Sequence, residues 1–215
     1  MLGVALAGIG LALSLAAPET APTGRAPPLR WVRGVGVPSL LGLATNLKDG
    51  LVWLSLPLLL EGRGFGLPQI GLVAGLYPLV WAAGQPLFGP LSDRIGRRGP
   101  VAVGMALQGA GLGLLAVATT LPAALIAATV LGLGTGMAYP VLIALVADRV
   151  APAERATALG IYRFFRDGGY AVGALVAGVG LAQLGTATAW TGVAFVPLAI
   201  LAWRNGAGTE PADAS

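Results

Sequence analysis

The amino-acid sequence predicts an all-α integral membrane protein, a multi-pass helical bundle, and three observations predict it. First, 56% of the 215 residues are hydrophobic and only 10% are charged, with a mean hydropathy of +0.81. Soluble domains carry about 25% charged residues, so this chain lacks the polar surface that would keep it in water. Second, the apolar residues form long continuous runs rather than alternating with polar ones, which argues against a membrane β-barrel. Third, the 34 glycines would weaken soluble helices, whereas in lipid small residues let helices approach closely.

Seven apolar segments follow one another: 1–17, 39–60, 68–91, 101–119, 122–146, 156–184 and 187–203. Each is long enough to cross about 30 Å of hydrocarbon at about 1.5 Å per residue, the first only just. Segment 1–17 is expected to be a single transmembrane span. A cleaved leader is the competing reading, but no Lys or Arg precedes Arg25 and the Leu-Ala-Ala stretch is a loose cleavage match. Residues 18–38, with Pro18, Pro22, Pro27, Pro28 and Pro38, read as a Pro/Arg linker on the cytoplasmic side. Segments within 39–204 form a six-helix transmembrane bundle, and 205–215 is a small, polar tail expected to be disordered and cytoplasmic.

The charges orient this plan. Arg25, Arg30 and Arg33 lie in 18–38; Arg94, Arg97 and Arg98 in 92–100; Arg149 and Arg155 in 147–155; and Arg204 at the tail. Seven spans put these nine arginines on one side and leave Arg63 on the other. The excess marks the cytoplasmic face, with the N-terminus outside, the C-terminus cytoplasmic, and the cell membrane as the location. The net charge of +4 therefore reflects topology rather than a phosphate-binding stripe, and no nucleic-acid partner is expected.

Residues 89–98, GPLSDRIGRR, carry the densest charge between two apolar runs. Gly89, three residues, then Asp93, Arg94, Ile95, Gly96, Arg97 and Arg98 resemble the signature of the major facilitator superfamily, which lies between the second and third helices of each six-helix half. Here the string follows the second of the six segments. Residues 144–175 are similar to the cytoplasmic turn and helix that open the last helix pair of such transporters, and residues 130–140 to the glycine-rich fourth helix of a half. The resemblance covers about 38–204 and implies a six-helix C-terminal half. Segment 1–17 would be the last helix of the N-terminal half and 18–38 the central linker. The first five helices of a twelve-helix plan are absent from the sequence, which implies either the product of a truncated or split gene or a chain that pairs with another supplying them.

The resemblance also implies that Gly89, Asp93, Arg94, Gly96, Arg97 and Arg98 form a conformational latch, in which Asp93 would meet a helix of the other half. Physically, Gly89, Gly96 and Gly99 are expected where the turn bends, while the arginines face headgroups and acidic partners. A plain positively charged turn is the alternative.

Charges inside the spans are the other conspicuous feature. Lys48 and Asp49 sit about ten residues into their segment, roughly 15 Å deep. A charge at that depth costs about 2.5–3.5 kcal/mol on insertion scales and needs a partner or water. Adjacent helical residues point about 100° apart, so these two are not expected simply to neutralise one another. With Asn46 they mark a polar face, a candidate substrate or proton pathway; a structural ion pair to another helix is the alternative. Arg163, Arg166 and Asp167 cluster in segment 156–184. Arg163 and Asp167, four apart, can pair on one face, with Arg166 directed elsewhere. Snorkelling at the interface would also accommodate them. Tyr77, Trp81 and Gln85 recur every four residues, as do Thr135 and Tyr139, with Tyr170 on the next segment. Tyr77, Gln85 and Tyr139 complete the pathway candidates. Gly71/Gly75, Gly109/Gly113, Gly132/Gly136 and Gly169/Gly173 read as helix-packing pairs.

The function these features point to is secondary active transport of a small solute by alternating access around a midplane site, coupled to protons through Asp49 or Asp167. A non-transporting membrane subunit or an inactive remnant of a transporter is the alternative. An intramembrane enzyme is disfavoured: the chain has no histidine and no cysteine, Ser55 is the only serine deep in the six-span set, and no metal-ligand cluster is visible. No catalytic residue, metal or cofactor is expected. The expected partners are the lipid bilayer, a small-molecule solute, protons and the separate chain. Neither the solute nor the direction of movement is legible.

Overall fold

The computed structural model describes residues 32–179 and 184–205. The expected span 1–17, residues 18–31 of the expected linker and the tail from 206 lie outside the described residues. Six helices follow in order: α1 (Val32–Glu61), α2 (Leu67–Ile95), α3 (Arg98–Val117), α4 (Leu121–Asp148), α5 (Arg155–Val179) and α6 (Leu184–Asn205). One 3-10 turn, Pro152–Glu154, leads into α5. The described part is all-α, a multi-pass membrane bundle.

Most helices exceed their apolar segments by a few residues, because polar and charged residues complete the end turns outside the hydrocarbon. α1 starts at Val32, so the last seven residues expected in the linker are helical, Pro38 included. Prolines recur inside α2, α4 and α6 as well. In a bundle within lipid, neighbouring helices and local adjustments satisfy the carbonyls that a proline frees. α2, α3 and α4 are long and apolar enough to cross a membrane by length and composition alone. α1 and α5 are long too, but carry Asn46, Lys48 and Asp49 in one and Arg163, Arg166 and Asp167 in the other.

α1 packs mainly on α5, α2 on α4, and α3 on both α4 and α6. Lipid is as apolar as leucine, so helices associate through close van der Waals contact rather than hydrophobic exclusion. The crossings show this. A β-carbon at Gly169 or Gly173 would strike the α1 backbone at Leu43 and Leu47, and one at Gly50 would strike Tyr170 of α5. At the α3–α6 crossing Gly109 and Gly192 face each other, and Gly132 and Gly136 of α4 lie on the backbone of Tyr77 and Trp81. Gly71 and Gly75, by contrast, have nothing within 4 Å of an added β-carbon. They face away from the six described helices, none of which packs on this small-residue spacing. Between the crossings Met105, Leu112, Leu131, Leu142 and Phe195 are buried, while Leu67, Leu79, Leu87, Leu175 and Val179 are exposed on the outside, as lipid-facing residues are.

Contacts among the turns define two ends. At one end Arg149 donates to the carbonyls of Gly34 (2.8 Å) and Asn205 (2.5 Å), tying the α4–α5 turn to the start of α1 and the end of α6. Arg98 stacks over the Trp203 ring at 4.1 Å. At the other end Arg63 donates to the carbonyls of Leu115, Ala116 and Ala118. A helix C-terminus leaves its last carbonyls unpaired and negative, so this guanidinium caps α3 from the α1–α2 turn.

Candidate functional site

Among the described residues, two groups of buried charged side chains stand in the bundle interior. The first bridges α1, α2 and α4. Lys48 and Asp49 have no exposed surface, and Tyr77 and Thr135 are equally enclosed. The Lys48 ammonium donates to Asp49 Oδ1 at 2.5 Å, to Tyr77 Oη at 2.6 Å and to Thr135 Oγ1 at 2.7 Å. An ammonium has three donors, so Lys48 is fully used. Tyr77 Oη in turn donates to Asp49 Oδ1, and Thr135 Oγ1 donates to the Leu131 carbonyl at 2.9 Å. Asp49 Oδ2 is buried without a hydrogen-bond partner.

This corrects the expectation that Lys48 and Asp49 do not meet. Adjacent Cβ atoms diverge, but the lysine stem is long enough to swing its charge back to the neighbouring carboxylate, and lipid leaves it no water as an alternative.

The second group joins α1, α4 and α5. Arg166 is 8% exposed. Its Nε donates to Asp167 Oδ1 at 2.8 Å and its Nη2 lies 2.7 Å from the same oxygen. The Asp167 side chain remains 54% exposed. The guanidinium sits 5.0 Å from the Tyr139 ring centre and 5.8 Å from that of Tyr162. Asn46 Nδ2 donates to Asp167 Oδ1 at 3.5 Å, the limit of a hydrogen bond, and its Oδ1 is buried without a partner. The Arg163–Asp167 pairing that the spacing allows is not made: Arg163 is exposed, and the flat guanidinium of Arg166, held on the tyrosine faces, reaches the carboxylate of the next residue instead.

An aromatic chain connects the groups. Trp53 and Tyr77 lie 6.1 Å apart between ring centres, Tyr77 and Trp81 6.3 Å, and Trp81 and Tyr139 5.4 Å. Gln85, two turns along α2 from Tyr77, is half-buried and belongs to neither group, and Tyr170 is half-buried on α5.

Residues 89–98 are mostly helical. Gly89 and Asp93 lie in the last turns of α2, and Gly99 lies in α3, so neither glycine is at the bend. The turn is confined to Gly96 and Arg97, and Gly96 has φ +87°, a conformation in which a side chain is strained. Arg97 pairs with Asp93 and, at 3.0 Å, with Asp148 at the end of α4; its Nη1 donates to Ser92 Oγ at 2.6 Å. Arg94 is exposed and Arg98 stacks on Trp203. Asp93, Arg97 and Asp148 thus form an ion-pair set within this chain.

Sequence reasoning left Thr135, Trp81, Tyr162, Ser92 and Asp148 out of the candidate residues. Tyr162 stands four residues before Arg166 and Thr135 four before Tyr139, so helical spacing carried a signal for both. Asp148 lies fifty-one residues from Arg97, beyond any local pattern.

With this geometry in hand, the comparisons are specific. The family profile described as Major Facilitator Superfamily matches residues 38–211. A Bacillus subtilis (strain 168) protein named as a candidate niacin/nicotinamide transporter is 28% identical over 153 residues, 71% of this chain and 38% of that protein. The fosmidomycin resistance protein of Escherichia coli (strain K12) is 29% identical over 169 residues, 78% of this chain and 40% of its own. An efflux transporter of Aspergillus oryzae is 37% identical over 106 residues, 49% of this chain and 19% of its own. The chain spans about two fifths of the length of the two bacterial relatives and about one fifth of the fungal one.

Proposed function

The chain belongs to the major facilitator superfamily, and from that premise we propose that it moves a small solute across the cell membrane by alternating access, coupled to protons. The observation that carries the reading is the enclosed Lys48–Asp49–Tyr77–Thr135 network. Charges at that depth are costly, and intramembrane ionisable residues mark solute and proton pathways. In this reading Asp49 and Asp167 are the exchanging carboxylates, Asn46, Tyr139, Arg163 and Arg166 face the solute with Gln85, and Lys48 and Tyr77 set the state of Asp49. Asp93, Arg94, Arg97 and Arg98, with the Gly89 and Gly96 that place them, serve as the latch, which opens when Arg97 leaves Asp148. The arginine-rich end is the cytoplasmic one.

The test is gradient-driven movement in membrane vesicles carrying the chain. Labelled nicotinate and fosmidomycin, the compounds in the relatives' names, are the first probes. An imposed pH gradient should accelerate movement of a carried solute, and a D49N/D167N double substitution should abolish that acceleration. Gradient dependence that survives the loss of both carboxylates removes the proton-pathway assignment. Absence of any movement for a broad solute panel points instead to a non-transporting membrane protein.

A further inference from the structure

We propose that residues 1–17 pack as a helix antiparallel to α1 in the groove between α1 and α5, with the hydroxyls of Ser14 and Ser39 hydrogen-bonded to each other.

The groove comes first. A cavity of about 260 Å³ opens between the two helices, lined by Gly36, Ser39, Leu40 and Leu43 of α1 and by Ile161 and Phe165 of α5. Leu40 and Phe165 are 46% and 45% exposed, and a β-carbon added at Gly36 would meet nothing within 4 Å. Apolar side chains thus frame an open slot that none of the described helices fills.

One atom of the slot calls for an occupant with a polar group. Ser39 is 4% exposed, and its Oγ makes no hydrogen bond among the described residues. Helical hydroxyls commonly return to the carbonyl four residues back, as Thr45, Thr129 and Thr135 do here. A buried hydroxyl without a partner is costly, and a hydrocarbon tail offers it none.

The sequence supplies that group. Ser14 is the only polar residue within 1–17. Gly3, Ala7, Gly10 and Ser14 fall on one helical face, the kind of small-residue surface that lets another helix approach closely. Hydroxyls at such crossings hydrogen-bond from helix to helix.

Depth agrees as well. Ser14 stands three residues before the end of its apolar segment, and Ser39 opens the next one. At about 1.5 Å per residue the two lie within about 5 Å of the same level. Residues 18–31 join them and carry Arg25 and Arg30, which hold this connection at the arginine-rich end. Those fourteen residues can extend to about 45 Å. Packed helix axes need only about 8–10 Å, and consecutive elements are usually neighbours. Antiparallel packing about the serine contact sets Gly10 beside Leu43.

The test is disulfide trapping in membranes carrying the full chain, which has no cysteine of its own. Oxidation should join the two thiols of an S14C/S39C chain and, independently, those of G10C/L43C. The readout is loss of maleimide-reactive thiols at monomer mobility on a non-reducing gel. A12C/S39C should stay open, because residue 12 lies about 160° around the helix from residue 14. G36W, which fills the slot, should slow the S14C/S39C bond severalfold. S39A, which leaves Ser14 unpaired, should slow the G10C/L43C bond severalfold. Failure of both pairs to close overturns the proposal, and native mass spectrometry showing a retained phospholipid would then name the occupant. A disulfide-linked dimer overturns it by making a second copy the partner. So does trapping of A12C/S39C at an equal rate, or trapping that G36W and S39A leave unchanged. Two independent cysteine pairs keep the test decisive if one variant fails to fold. Gradient-driven movement of a solute with neither bond formed ends this inference and leaves the transporter reading standing.

Discussion

The two interior ion pairs are built from the same chemistry and placed in opposite circumstances. Lys48 and Asp49 are sealed between three helices, and every ammonium donor is used. Arg166 and Asp167 are also sequence neighbours, yet the carboxylate is largely exposed while the guanidinium is enclosed. Burial converts a pair into a structural commitment, because either charge alone would be stranded. Where the carboxylate stays in contact with solvent, as that of Asp167 does, water competes for it and the pair contributes less. One molecule therefore holds a closed polar bolt and an open polar grip about the same bundle interior.

Substitutions should separate the two. The largest effect is expected from K48M, which strands Asp49 and should cost about 3–5 kcal/mol in unfolding measured in detergent. A K48M/D49L double substitution should recover most of that loss. Failure to recover would mean that Lys48 acts through Tyr77 and Thr135 rather than through the carboxylate. Y77F should come next, at about 1–3 kcal/mol, because one Lys48 donor and one Asp49 oxygen each lose a partner. D167N should cost about 1 kcal/mol or less on the same scale; a cost matching K48M would erase the distinction. Smallest is the response to salt. Raising ionic strength to about 1 M, where charges are screened beyond about 3 Å, should shrink the D167N difference and leave that of K48M unchanged.

Much of this was legible in the sequence, for physical reasons. Continuous apolar runs with charged turns admit few folds in lipid, so the helices and the shared side of the arginines could be read directly, and residues 89–98 carried the family. The polar face on α1 was visible because Asn46, Lys48 and Asp49 break an apolar run. What failed was pairing. Rules for exposed helices keep i and i+1 apart, but Lys48 and Arg166 each pair with the following residue. Without water as a competitor, a long side chain bends to the nearest opposite charge. The contact of Arg97 with Asp148 and that of Arg98 with Trp203 depend on how distant turns meet, which no local spacing encodes. Gly71 and Gly75 show the same limit from the other direction, since the spacing of a packing face recurs where none of the described helices packs.

The crossing of α1 and α5 carries one more implication. Gly169 and Gly173 bring α5 onto the α1 backbone at Leu43 and Leu47, and Gly50 does the same in return at Tyr170. Asn46 and Asp167 lie within that seam. Because main chain rests on main chain, their separation is gauged by atoms that cannot change rotamer. The two helices form a single stiff strut, and any rearrangement of the bundle has to carry both polar residues together rather than draw them apart.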